Sequence, residues 1–484
     1  MSWEWRHQDR AHVLECLQRG EYEAIVTSRQ SALDTLAHLA YELGVLEAAS
    51  VMTVTREREG IPDALLLRTL AVLPFVEAMG LSAAADTLFE DAAILLQLGY
   101  TALQIREGFN DRRGAGQSAK SERALPCHPD VLRQELARLT PESLATFRRT
   151  CICELFRRKL LKGRTYALDG SGLGTRHRVV GLLNVSGEHV WWVSWRVLSG
   201  TASEKGKEAS VVRELVDEVR ELAGSDAIDL LLMDALYADG PLLAWLKYAR
   251  QIDALVRLPE DRLIYTQLWA LVAAHPDTTS SYLDVRYVQG HKQLRRVTLG
   301  AMGDLTEWDS FREQAAGWGQ AEAVLWGLAL TAVDQADPTQ SETWALISTR
   351  AFDSGQQAYT TWRRRWRIEN SGFRELKEGW HLEAAPWSYS DAIVVEARVT
   401  FTCIAFNVAQ LAKTTAGRRL IGRGIRRLRG ELAREYGPAP VIVFAGGAYG
   451  IFHIEELMQA LGRPPLESLR RGADVSPDPR TDTG

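Results

Sequence analysis

The sequence lacks the features that most quickly assign a chain to a class. Its five cysteines (Cys16, Cys127, Cys151, Cys153 and Cys403) are odd in number and scattered, with no C-x-x-C pair. Neither a structural zinc site nor a disulfide framework is indicated. The opening residues MSWEWRHQDR do not show the charged-then-apolar pattern of a signal peptide, and no window of about twenty apolar residues is expected to span a membrane. A cytoplasmic protein is predicted. Positive charge is not in excess either: the net charge is −5, so nothing global announces a nucleic-acid partner. Gly170-Ser171-Gly172 is not a G-x-S-x-G elbow, and no motif places a histidine, which sets aside a serine hydrolase. His177 and His381 read as surface or structural rather than catalytic. GLGTRH is followed by no G-K-[ST], so it is not a phosphate loop.

What the chain does have is 484 residues, 46% hydrophobic and 25% charged, the composition of a globular protein of two to four domains. Residues 1–160 read as helical almost throughout, with apolar residues at three and four spacing in DALLLRTLAVLPFVEAMG. Within them, 85–110 has the shape of two helices joined at Leu98-Gly99-Tyr100, either a DNA-end reader or a hairpin that only packs. The second of these helices offers Gln104, Arg106 and Asn110 to base edges, and Arg112, Arg113, Lys120 and Arg123 follow in a Gly- and Ser-rich arm. After Lys162 the texture changes. TYALDGSGL, RVVGLLNV and HVWWVSWRVL read as a three-strand meander, followed by a helix over 206–223, a buried strand IDLLLMDALY, a helix over 240–250 and a strand DALVRL. That order predicts an α/β protein with a ribonuclease-H-like core.

The core is read as 161–259 and 351–412, interrupted by a β-rich insertion over 260–350. A basic, helical region over 413–466 includes GRRLIGRGIRRLRGELAR, and 467–484 is expected to be a disordered tail.

Asp169 and Asp234 each stand at or near the end of an apolar, strand-like run. Singly, such an acid is more often a strand-end cap; as a pair on neighbouring first and fourth strands they would repel unless a cation lay between them. Hard oxygen ligands select Mg²⁺ or Mn²⁺, and two ions would serve in-line phosphoryl transfer. The third carboxylate is sought in WRRRWRIEN, where four arginines surround Glu369. On a helix through 358–378, Arg365 and Glu369 are neighbours, as are Trp362, Trp366 and Glu369. The arginines are read as holding the DNA backbone while Glu369 holds metal.

YALDGSG, LLMDALYADG and WRRRWRIENSGFRELKEGW resemble the three acidic motifs of the DDE insertion-sequence transposases. The similarity is greatest to the insertion-sequence-four-like group, with its Tyr-Arg-Glu-Lys signature, and covers about 165–412. The resemblance implies Asp169, Asp234 and Glu369 as the catalytic, metal-binding triad, with Trp362, Arg365 and Lys377 beside its signature positions; Arg364 and Arg367, from the arginine-rich helix itself, are read with them as DNA contacts. Trp362 stands where the family has tyrosine. Leu376 occupies the family's lysine position, with Lys377 one residue later. The implied partners are double-stranded DNA (terminal inverted repeats and target) and a second copy of the chain in a homodimer. The implied reaction is cut-and-paste transposition. A nuclease that only hydrolyses, and a domesticated or decayed transposase that only binds DNA, are the alternatives.

Overall fold

The computed structural model describes all residues except 1–2, 28–30, 56–59, 77, 79, 110–125, 204–205, 289–290, 340, 384–390, 417–419, 421–422, 437–439 and 464–484. The chain divides into two compact units, residues 1–144 with 423–484, and residues 145–422. The strands, in chain order, begin with β1 (Ala24–Thr27), β2 (Thr165–Leu173), β3 (His177–Asn184) and β4 (Trp191–Ser199). Next come β5 (Leu230–Met233), β6 (Asp253–Leu258), β7 (Thr279–Val288) and β8 (His291–Leu305). The last four are β9 (Leu325–Asp334), β10 (Ser341–Ser348), β11 (Val441–Ala445) and β12 (Ala448–Phe452).

In the first unit β1, β11 and β12 form an antiparallel sheet in the order β1-β11-β12. VIVFA of β11 is apolar at every position because both of its faces are covered. Val441, Val443 and Ala445 pack with Val13, Cys16 and Leu17 of the helix Arg10–Gln18. Ile442 and Phe444 pack with Ala93 of the helix Ala92–Leu98. Gly446 and Gly447 join the strands at φ 58° and 78°, the positive values a two-residue hairpin turn requires. The helical expectation for the N-terminal and C-terminal regions misses this sheet, because β1 finds its partner at the far end of the sequence.

The same unit buries a carboxyl group. Asp34, on the helix Ser31–Glu42, is 2% exposed; Gln97 donates to one of its oxygens at 2.5 Å and Tyr449 to the other at 3.3 Å. Burial pushes its carboxyl up to about 6, and nearby Asp91 adds to the rise against the two hydrogen bonds. A carboxyl raised in the folded state keeps a proton that the unfolded chain has already lost, so ionisation on raising the pH costs stability. We expect stability to fall by on the order of 2–3 kcal/mol as pH rises from about 4 to about 6, and to fall no further from this source above that window. Urea midpoints across that window should lose most of the slope in Asp34→Asn; a slope unchanged by the substitution would clear Asp34.

The second unit is built on one mixed sheet of nine strands in the order β4-β3-β2-β5-β6-β10-β9-β8-β7. β2, β3 and β4 are an antiparallel meander, β5 lies parallel to β2, and β6 parallel to β5. β10 then returns antiparallel to β6, and β9, β8 and β7 continue outward, each antiparallel to its neighbour. The stretch over 260–350 read as β-rich thus supplies β7 to β10, joined to the same sheet. Two helices, Leu263–Ala274 and Asp309–Ala316, accompany them and were not expected.

The helix Ala392–Ala416 packs on β4. Its Asn407 accepts a hydrogen bond from Trp192 N at 2.9 Å and donates to Trp192 O at 2.8 Å, satisfying the backbone next to the irregularity where β3 meets β4. Contrary to the expectation of no such run, Ala392–Thr415 is long and apolar enough to cross a membrane by composition alone. However, 78% of its apolar window is buried inside the structure, as in a core helix.

Candidate active site

The pairing of β2 with β5 sets the site. Ala167 lies opposite Leu232, and carrying that parallel register two residues on brings Asp169 level with Asp234, just past the end of β5. Both acids therefore stand at the same edge of two adjacent strands. Asp169 is largely buried, its side chain 17% exposed, and takes one hydrogen bond from Gly170 N at 2.8 Å. Burial pushes its carboxyl up to about 6. Gly170 N–H and Arg365 pull it down, while the negative charges of Glu369 and Asp234 push it further up. Those two influences mark the three acids as one electrostatic neighbourhood.

Glu369 comes from a helical stretch that is less regular than expected. In place of one α-helix over 358–378, the helix Gly355–Arg363 ends in a turn at 364–365, and wide five-residue turns follow over Ile368–Phe373 and Glu375–Gly379. Such widened turns are frequent at functional sites. Gly372 lets this stretch lie close on the sheet: a Cβ there would stand 3.0 Å from the Trp192 ring and 3.3 Å from Leu183. Phe373 stacks obliquely on Trp192 at 5.0 Å.

Arg365 sits inside the acid cluster. It is 2% exposed, and one nitrogen, Nη1, lies 3.0 Å from Asp169 Oδ2 and 2.6 Å from Glu369 Oε1. The rings of Trp362 and Trp366 flank its guanidinium at 5.5 and 5.0 Å. The expected phosphate contact is replaced here by two carboxylates. Trp362, also expected at the DNA, is 3% exposed and packed 4.8 Å from Trp344.

The remaining sequence candidates divide. Arg364 is exposed. Arg367 donates to Val185 O at 2.9 Å and to the carbonyls of Gly187 and Glu188, so its guanidinium holds the turn after β3. Lys377 pairs with Glu383 at 3.4 Å. Gln104 belongs to a six-residue helix, Ala102–Glu107, and closes a capping box with Thr101, accepting from Thr101 N at 2.9 Å. That bond occupies the amide oxygen expected to read a base. The side chain of Arg106, and Asn110, Arg112, Arg113, Lys120 and Arg123, lie outside the described residues. Of the basic stretch near the C-terminus, Arg427 and Arg434 both pair with Glu431, and Arg429 is buried with a bond to Pro74 O.

Two neighbours of the acids were missed. Glu208 is 1% exposed and pairs with Arg178 at 2.9 Å, and Tyr237 is fully buried with its hydroxyl unpartnered among the described residues. Both press on Gly170, where a Cβ would meet Glu208 Cγ at 2.9 Å and Tyr237 Oη at 3.5 Å, so the residue after Asp169 must be small. Burial, then Asp169 and Glu208, raise the Tyr237 hydroxyl far above its ordinary value. Tyr237 follows Asp234 by three residues at the end of an apolar run and reads only as core there, and nothing local pointed to Glu208.

The donor chemistry fits a hard divalent cation: three carboxylates with one arginine for counter-charge. Among the described residues, no three His, Cys, Asp or Glu side chains converge as a ready metal cage. Arg365 Nη1 stands between two of the three carboxylates, where a cation would balance them.

Residues 196–407 match the family model of the transposase DDE domain. The match supports a DDE transposase, a class of enzyme that acts on DNA and generally uses divalent metal. It lies wholly within the second unit, includes Asp234 and Glu369, and begins after Asp169. No curated protein matches the chain.

Proposed function

We propose that the protein is a cut-and-paste DNA transposase of the insertion-sequence-four-like group, cleaving and joining DNA at the ends of its element. The observation that carries this reading is the placement of Asp169, Asp234 and Glu369: two acids level on the adjacent parallel strands β2 and β5, the second just past the end of β5, and a third tied to the first through Arg365. The first five strands of the second unit, in the order β4-β3-β2-β5-β6, support a ribonuclease-H-like core. Residues 260–350 are then its β-rich insertion and 351–412 its second part.

Two Mg²⁺ or Mn²⁺ ions, when bound, would activate the attacking oxygen and stabilise the leaving one. The chain's own part is to hold the carboxylates. β2 and β5 fix Asp169 and Asp234, and the packing of Gly372 and Phe373 on Trp192 fixes the helix that carries Glu369. Exposed Arg364 is the arginine of this stretch best placed to meet a phosphate, a contact that positions DNA without reading its sequence. End recognition falls to the first unit, and the active form on DNA is a homodimer.

The test uses the full chain, Mg²⁺ and duplexes carrying the DNA that flanks its coding segment. Double-strand cuts at inverted repeats, followed by joining to a target, are expected. Indiscriminate degradation would favour the hydrolysis-only nuclease, and specific binding without cutting would favour the domesticated DNA-binding protein.

A further inference from the structure

Arg365 is bonded in an unusual way for a buried arginine. A guanidinium that braces a fold usually offers its fork, two parallel N–H groups on one carboxylate. Here a single nitrogen, Nη1, serves two different carboxylates, at 3.0 Å to Asp169 Oδ2 and 2.6 Å to Glu369 Oε1. Nε is buried with no hydrogen-bond partner among the described residues. The group thus behaves as a point charge placed between two anions, and it leaves a donor unsatisfied to do so, which costs free energy in a buried site. The backbone around it is a break between helices, at the turn over 364–365. Its flanking groups are the flat faces of Trp362 and Trp366.

We propose that Arg365 is a positioning residue, the resident counter-ion of Asp169 and Glu369, which a divalent cation must displace on binding. This rests on the metal-dependent reading above and adds to it a residue that sets how tightly the metal is held. The guanidinium keeps two like-charged carboxylates close together before metal arrives, and because it occupies the same electrostatic position it lowers the affinity for that metal. Two cations competing for one pair of carboxylates are coupled negatively, and removing one raises the affinity for the other.

The experiment is calorimetric titration of Mn²⁺ into the metal-free full chain, compared with Arg365→Gln and Arg365→Lys, with thermal midpoints measured with and without Mn²⁺. Arg365→Gln should bind Mn²⁺ at least about tenfold more tightly than wild type. Its midpoint should fall without metal and rise more than that of wild type when Mn²⁺ is added, because a ligand stabilises in proportion to its affinity. Arg365→Lys keeps the charge and should stay within about threefold of wild type. If the Gln variant is unfolded without metal, Arg365→Met, which keeps an apolar stem between the tryptophans, takes its place. Equal or weaker Mn²⁺ binding by a folded, uncharged variant overturns the proposal and leaves the metal reading intact. A Lys variant that gains as much as the Gln variant also overturns it, because packing rather than charge would then set the affinity. Mn²⁺ binding by none of the proteins overturns the metal reading and the proposal together.

Discussion

Asp169→Asn, Asp234→Asn and Glu369→Gln will each lower DNA cleavage in Mg²⁺ by at least about two to three orders of magnitude, the scale on which removing one preorganised charge-stabilising group acts. Binding of end-containing duplex will be nearly unchanged. The substitutions keep shape and remove charge, so they separate metal holding from packing. Asp169→Asn is the most informative of the three. Burial raises the carboxyl of Asp169 to about 6, so its ionised form is held at a cost, and the neutral amide removes that cost. The variant should therefore be inactive yet as thermostable as wild type. Cleavage at the wild-type rate by any of the three would remove that residue from the triad, and loss of folding in all three would show that the acids are structural.

Arg148→Met should strongly destabilise the second unit. Arg148 donates to Glu218 at 2.8 Å with both side chains 4% exposed, and Glu396 lies 4.0 Å from its other terminal nitrogen. Glu218 is also held by Arg196 at 2.9 Å and by Ser194. Burial works to raise the carboxyl of Glu218, but Arg148 and Arg196 together bring it below its ordinary value. Deleting Arg148 leaves a buried carboxylate with half its counter-charge. Breaking one side of a buried pair typically costs about 3–5 kcal/mol, whereas replacing both sides is far milder. Chemical denaturation should show that loss in Arg148→Met and a substantial recovery in Arg148→Met/Glu218→Gln. A single variant within about 1 kcal/mol of wild type would mean the pair contributes no more than a surface ion pair does.

The parts of the fold legible in the sequence are those whose pattern is local. TYALDGSGL, RVVGLLNV and HVWWVSWRVL alternate or run apolar over strand lengths, and they are β2, β3 and β4 within a residue or two at most ends. The acids in the middle of β2 and just past β5 were readable for the same reason: a carboxylate closing an apolar run, YAL before Asp169 and LLM before Asp234, is conspicuous. What could not be read is where a charged side chain turns. The composition of WRRRWRIEN shows a surplus of arginine but not that Arg365 faces carboxylates, Arg367 faces carbonyls and Arg363 reaches Asp284 at 3.1 Å. Trp362 illustrates the same limit, since an aromatic beside arginines suits a DNA surface and a core equally well. Gln104 is different: Thr101-x-x-Gln104 is a capping-box pattern visible in the sequence, and it already assigns that side chain to its own helix.

The small sheet of the first unit has a consequence for how the chain is made. Glu23, just before β1, hydrogen-bonds across the sheet to Gly447, 424 residues later. At ribosomal speeds of about 5–20 residues per second, β1 waits roughly 20–85 s for its partner to be synthesised. The residues of the second unit are all translated within that interval, so its nine-stranded sheet can close while β1 still has no neighbour. Cutting the chain after residue 160 would make that wait permanent, because β11 and β12 would never arrive. The order of synthesis therefore lets the carboxylate-bearing unit form first and leaves the unit proposed to recognise DNA ends until last.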